Sequence, residues 1–311
     1  MNILISGGFG YIGSYIAKKF FEEGHTVGII TKEIPPHFED FSKSFEVYIQ
    51  DITKPIKLDL SRKYDLLIHL AAANDVDSKD PSVSLEVTTF GTRNILEFCA
   101  IQRIDKIVYF STFHVYGFDE GCISEDTPLK PKDDYAITHM FAEEYVKLYS
   151  RKIDLKYAIV RPTNVFGKFL SRNIDRWTLV PNCFIKEIFE KQTITLMSSG
   201  KQKRDYISLG DLYLGLKMIC DRIEVAPNET YNLSSGAVYS IREIAEMVRV
   251  LYMKRTGKCA EQVILSTLPK KTEDLVVANT KLRNLGFIPN TSFNIESEIS
   301  GIFDLIEKRD R

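Results

Sequence analysis

Short apolar runs alternate with longer segments of helical period along the first half of the chain. A strand with water on one side alternates polar and apolar positions, whereas a strand covered on both faces reads as a nearly unbroken apolar run. On that basis Asn2–Ser6, 27–31, Glu46–Ile49, 66–70, 106–111 and 156–161 are predicted strands. Helices fit between them at 14–23, 82–102 and 135–151. A repeated strand-helix-strand rhythm specifies an α/β fold, a doubly wound parallel sheet with right-handed crossovers. After Gly167 the rhythm breaks into an irregular stretch that holds the only tryptophan, Trp177, and then a helical run at 179–190. A short strand at 231–233 is placed to rejoin the sheet, and 240–252 reads as a further helix. The expected organisation is therefore a sheet domain of 1–167 and 204–236 and a smaller C-terminal substrate lobe of 168–203 and 237–311. The cleft between them is the expected ligand site.

Composition narrows the function classes. The chain has 311 residues, and its 41 basic and 42 acidic side chains leave a formal net charge of −1. No global field attracts nucleic acid or an anionic membrane, which argues against an RNA-binding role, so any anionic ligand must be held locally. The five cysteines, Cys99, Cys122, Cys183, Cys220 and Cys259, are scattered and form no CxxC pair. They read as reduced thiols of a cytoplasmic protein. The first ten residues turn glycine-rich at once, unlike a signal peptide or a membrane span. Asp75-Val76-Asp77-Ser78-Lys79-Asp80 fails as a calcium loop, because Lys79 replaces an oxygen ligand and Asp80 the required glycine, and no metal is expected.

The segment Gly7-Gly8-Phe9-Gly10-Tyr11-Ile12-Gly13 follows the first strand and opens the first helix. Glycines there let the backbone turn tightly and approach a pyrophosphate, whose charge meets the unpaired N–H groups of the helix start. This is the Rossmann-type arrangement, with Gly7, Gly10, Tyr11, Ile12 and Gly13 as cofactor ligands. The acid that usually binds the ribose at the end of the second strand is absent, and Thr31 and Lys32 stand there. Lys32 either meets a 2′-phosphate or is a solvated loop residue, which leaves NAD and NADP both open. Asp51, followed by Ile52, is placed to contact the adenine, and Leu70, Ala71 and Ala72 end the fourth strand with little bulk where a ribose passes.

Further pieces arrive in a recognisable order: Ser111-Thr112-Phe113-His114-Val115-Tyr116-Gly117, Tyr135-Ala-Ile-Thr-His139, Arg161-Pro-Thr-Asn164-Val-Phe-Gly167, Arg204-Asp205-Tyr206 and Asn279-Thr-Lys-Leu282. With the glycine loop and His69-Leu-Ala-Ala72, this chain resembles the extended short-chain dehydrogenases/reductases, specifically their nucleotide-sugar epimerases and dehydratases. The resemblance implies Tyr135 as the acid/base that exchanges a proton with a sugar hydroxyl and Thr112 as the hydroxyl that bonds the same oxygen. The family's lysine one helical turn on is His139 here. It either takes over the ribose contact or is an ordinary helix histidine. Asn164, Arg204 and Lys271 match diphosphate-binding positions, and Asp75 is placed to approach the sugar.

What the resemblance implies is an enzyme of carbohydrate biosynthesis that moves a hydride between NAD or NADP, with a lean to NAD, and a nucleoside-diphosphate sugar. The reaction would be most naturally at sugar carbon four, as a 4-dehydrogenase, 4-ketoreductase or 4-epimerase. A cofactor-binding protein with eroded catalysis is the alternative raised by His139 and by Thr88, which replaces an asparagine. A 4,6-dehydratase is disfavoured, because Phe113 and His114 stand where its acidic pair would be. Relatives dimerise through two helices, so a homodimer is expected, joined through 82–102 and 135–151 by apolar residues such as Phe98, Phe141, Tyr145 and Leu148.

Overall fold

Seven strands build the central sheet: β1 (Asn2–Ser6), β2 (Thr26–Thr31), β3 (Glu46–Ile49), β4 (Leu66–His69), β5 (Lys106–Phe110), β6 (Lys156–Pro162) and β7 (Glu229–Leu233). Their order is β7-β6-β5-β4-β1-β2-β3, and the pairings from β3 across to β6 are parallel. This doubly wound Rossmann order reverses direction between β1 and β4. At that reversal Ser6 lies opposite His69, and the Ser6 hydroxyl meets His69 Nδ1 at 2.5 Å. The computed structural model describes residues 1–118, 120–265, 274–290 and 294–307.

The sheet belongs to the first of two units, formed by Met1–Gly117, Glu125–Pro162 and Gly215–Asn232. Its core joins Leu4 and Leu67 of the sheet to Ile95, Leu96 and Val146 of the covering helices, all fully buried. Each such side chain contributes roughly 1.5–3 kcal/mol. Three helices matter for the site: α1 (Tyr11–Glu22), α2 (Gly91–Gln102) and α3 (Asp134–Ile153). The start of α3 is fixed by Asp133, whose carboxylate accepts the Ala136 N–H at 2.8 Å. The single helix expected over 82–102 is interrupted. Pro81–Ser84 is α-helical, Leu85–Phe90 widens into a π-helical turn, and α2 follows. Such turns occur where side chains compete with the regular ladder. Here the Thr92 hydroxyl donates to the Thr88 carbonyl at 2.5 Å, and the Thr88 hydroxyl oxygen accepts the Ala73 N–H at 3.1 Å, tying the turn to the chain just past β4.

The helix faces also differ from expectation. Phe98 is buried in the core and Tyr145 packs partly against it, so neither is surplus apolar surface. Phe141 and Leu148 do remain exposed, at 39% and 45%.

The second unit comprises Phe118–Ser124, Thr163–Leu214 and Leu233–Arg311. Its three-stranded sheet places Lys203–Ser208 between Asn164–Phe166 and Ala237–Ser240. Helices Asn182–Lys191, Ile241–Thr256 and Ile295–Glu307 bury Ile185, Ile188, Val248, Ile299 and Phe303 together. Residues 118–124, 163–167, 204–214 and 233–236 were expected with the first unit but fall in the second, where 203–208 pairs with 164–166 and 237–240.

Candidate active site

The site in the first unit starts at the C-terminal end of β1. Gly7 has φ +77°, and a Cβ there would come 2.9 Å from the Ala71 amide nitrogen. A Cβ on Gly13 would run into the Gly7 carbonyl oxygen. Both glycines are therefore required by the fold itself. Gly10 differs: its φ is ordinary and a Cβ would meet only the Gly7 carbonyl, at 3.3 Å. Its missing side chain leaves open the space over the start of α1. That helix has no side-chain cap and no acid in its first turn, so its positive end is left for an anion. Tyr11 and Gly13 are buried and Ile12 is half-buried. This cradle fits the pyrophosphate of a dinucleotide.

The remaining cofactor candidates lie around the same reversal point. Thr31 donates its hydroxyl to the Glu33 carbonyl at 2.7 Å, and Lys32 is exposed. Asp51 Oδ1 accepts the Thr53 N–H and hydroxyl at 2.9 and 2.8 Å. Burial raises the Asp51 pKa, but these bonds and the charges of Lys32 and Lys54 outweigh it and leave the group below its ordinary value. Ile52 packs its side chain against the core, and its carbonyl accepts from Asn94 at 2.8 Å. Leu70 is held by its N–H on the Ser6 carbonyl at 3.0 Å, and Leu70, Ala71 and Ala72 are half-buried.

The chemical residues sit on β5's exit and on α3. Thr112 opens a short turn, Phe113–Tyr116, that packs against α3. Its hydroxyl oxygen accepts the His114 N–H at 3.2 Å, which leaves its own proton free to donate. Tyr135 is half-buried in the first turn of α3. Its ring lies 4.8 Å from that of His139, one turn on, and 5.9 Å from that of the exposed His114. His139 is 3% exposed, and burial, then the nearby His114, push its pKa down to about 3. It is therefore a neutral imidazole at any physiological pH. The structure thus brings Tyr135 and His139 together and puts Thr112 at the head of the turn that packs on their helix, in the unit that carries the glycine cradle.

Sequence reading missed two supporting residues, Tyr109 and Glu143, and read Thr88 only as a replaced asparagine. Tyr109, on β5, places its hydroxyl 2.8 Å from His139 Nδ1. Thr88 fixes the backbone at Ala73. Glu143, one turn beyond His139, pairs with Arg161 at 2.6 Å. The four-residue spacing of Tyr135, His139 and Glu143 was the available signal.

The substrate candidates are divided. Asp75 is exposed in the loop after β4. In the second unit, Asn164 and Arg204 occupy neighbouring strands, and Asn164 Nδ2 donates to the Asp205 carbonyl at 2.8 Å. Lys271 lies outside the described residues.

Known proteins resemble this chain in sequence and in fold. The NAD dependent epimerase/dehydratase family matches residues 3–234. A putative UDP-glucose 4-epimerase of Methanocaldococcus jannaschii is 29% identical over 79% of this chain and 81% of its own. A GDP-6-deoxy-D-talose 4-dehydrogenase of Aggregatibacter actinomycetemcomitans is 30% identical over 80% of this chain and 79% of its own. Among solved structures, the UDP-glucuronic acid 4-epimerase of Bacillus cereus in complex with NAD has the same fold, with a TM-score of 0.83 at 23% identity, covering 99% of this chain and 97% of that one.

Proposed function

The chain belongs to the NAD dependent epimerase/dehydratase family and its cofactor is NAD; from that premise we propose that it transfers a hydride at carbon four of a nucleoside-diphosphate sugar. The observation that carries this reading is the pairing of Tyr135 with His139, with the free Thr112 proton on the turn that packs on their helix, in the unit that holds the glycine cradle. The 4-epimerase and 4-dehydrogenase names of its relatives support carbon four.

NAD would supply the hydride acceptor; Gly7, Gly10, Tyr11, Ile12 and Gly13 would hold its pyrophosphate and Asp51 its adenine. Tyr135 takes the proton of the sugar hydroxyl being oxidised and returns one when the ketone is reduced. Thr112 donates to that same oxygen. His139, neutral, offers its remaining ring nitrogen to a ribose hydroxyl. Asn164, Arg204 and Lys271 serve the diphosphate, where a charged donor is the strongest contact, and Asp75 serves the sugar. A 4,6-dehydratase needs a further acid and base beside the sugar, and Phe113 and His114 occupy those positions.

The test is nicotinamide absorbance and sugar product analysis with NAD and a panel of UDP-, GDP- and dTDP-sugars. Accumulating reduced cofactor with a 4-keto product marks a dehydrogenase; a C4 epimer without net reduction marks an epimerase. Tyr135→Phe should lower turnover by roughly 10²–10⁴-fold. Gly10→Val should lose NAD binding while melting like the parent. If no sugar is converted and no absorbance changes, the eroded-catalysis reading replaces this one.

Two further readings belong to the same proposal. The five cysteines are all free, which supports a cytoplasmic location; among the described residues no helix is long and apolar enough to cross a membrane. Phe90, Phe141 and Leu148 leave apolar surface on the π-turn and α3, which supports a homodimer through these helices. Sedimentation at micromolar concentration decides it, and a monomer there removes the dimer.

A further inference from the structure

We infer that Tyr109 is a positioning residue that holds the His139 proton on Nε2, so that His139 presents an N–H donor outward from the core. The inference rests on the reading above that His139 serves the cofactor ribose.

The argument starts from an atom that can only accept. The Thr88 carbonyl takes the Thr92 hydroxyl proton at 2.5 Å. The Thr92 oxygen is then left to accept, and it lies 3.0 Å from His69 Nε2. His69 is fully buried, and that burial keeps it neutral, so it carries one proton. With that proton on Nε2, its Nδ1 accepts from the Ser6 hydroxyl at 2.5 Å. Every hydrogen along Ser6, His69, Thr92 and Thr88 therefore has an assigned direction.

Tyr109 joins this group to His139. It is 1% exposed, its ring lies 5.7 Å from that of His69 and 6.0 Å from that of His139, and its hydroxyl is 2.8 Å from His139 Nδ1. A phenol is a better donor than acceptor, and a bare imidazole nitrogen is a strong acceptor. Donation from Tyr109 leaves Nδ1 without a proton and places it on Nε2. That nitrogen makes no protein hydrogen bond among the described residues and is not one of the closed-off polar atoms. The competing arrangement has the Tyr109 hydroxyl donating to Thr92, which also lies within its reach, and accepting from His139 Nδ1–H. That would load a second donor onto a Thr92 oxygen already serving His69.

The ring nitrogens of His139 report the tautomer directly in NMR of the cofactor-free, full chain labelled with ¹⁵N-histidine, the resonance being assigned by its loss in His139→Gln. The expected parent spectrum shows Nε2 protonated and Nδ1 bare. In Tyr109→Phe, which keeps the ring, the two tautomers should mix and the NAD Kd should weaken about tenfold. A protonated Nδ1 in the parent overturns the inference without any variant, as does an unchanged tautomer or an unchanged NAD Kd in Tyr109→Phe. His139→Ala with the parent's NAD affinity is a separate failure: it removes the ribose contact, and the inference with it, whatever the tautomer spectrum shows.

Discussion

One face of α3 carries two buried polar side chains a turn apart, and the fold satisfies them in opposite ways. His139 is neutral and is held by a single hydroxyl, that of Tyr109. Glu143, 0% exposed, is held by charge: it receives Arg161 Nε and Nη2 at 2.9 and 2.6 Å and the Ser111 hydroxyl at 2.5 Å. Arg161 is itself buried and also donates to the Tyr116 hydroxyl at 2.8 Å, over whose ring its guanidinium lies. Burial works against the Arg161 charge, but the Glu143 bonds outweigh it and hold its pKa above the usual value. The contrast separates two jobs. The ion pair clamps α3 to β6 and to the exit of β5, with both charges cancelled on the spot. The neutral end, nearer Tyr135, fixes a direction of donation and adds no charge beside the reacting group.

The largest effect is expected from breaking the clamp. Arg161→Met leaves Glu143 buried without a partner and should cost about 3–5 kcal/mol in urea unfolding. Arg161→Met combined with Glu143→Leu should recover most of that loss, because a buried pair costs nearly as much desolvation as it gains in attraction. If the single and double variants lose the same stability, the clamp is not what holds α3.

How much of this contrast was legible in the sequence follows from what each part depends on. β1 was placed to the residue because a strand covered on both faces is an apolar run bounded by polar turns, and β3, a half-buried edge strand, by its short Val-Tyr-Ile run. The glycine cradle was legible for a similar reason, since backbone crowding at Gly7 and Gly13 excludes every other residue type. The helix Leu209–Arg222 was not assigned, because its glycines and mixed polarity blur the helical period. The strand at Asn164–Phe166 is too short for an alternation to show, whereas the Thr-Ile-Thr-Leu alternation of Thr193–Leu196 was legible and not read. Neither Tyr109 with His139 nor Arg161 with Glu143 could be paired, because the members lie 30 and 18 positions apart and only the sheet brings them together. The π-turn depends on Thr88 and Thr92 bonding the backbone, which helical periodicity does not register.

A smaller effect should distinguish the two ends in acid. His139 and His69 have pKa values near 3 in the folded state, against about 6.5 unfolded. Their contribution to stability is complete above the unfolded value and is lost as pH falls from there toward 3. Each histidine should remove roughly 1.4 kcal/mol per pH unit in that window. Arg161 does not titrate there. Asp205, Asp211 and Glu298, whose pKa values burial raises, push the total the other way. The informative quantity is therefore the difference between parent and His139→Gln in urea unfolding at pH 7 and pH 5. The gap should narrow in acid; a gap independent of pH means His139 is not kept neutral by the fold.

The smallest effect, and the one closest to the chemistry, comes from placing a charge at the neutral end. His139→Lys puts an ammonium one turn from Tyr135, where it favours the phenolate. Oxidation uses Tyr135 as a base, so its pH profile has a rising limb set by the phenolate. The added charge should move that limb down by about one pH unit. Reduction uses the protonated phenol and should change little near pH 7. The two directions therefore respond unequally, which a loss of folded protein would not produce, since unfolding lowers both alike. Rate profiles in both directions, on variant samples matched for melting temperature, make the comparison. An oxidation limb that stays in place shows that position 139 does not set the acidity of Tyr135.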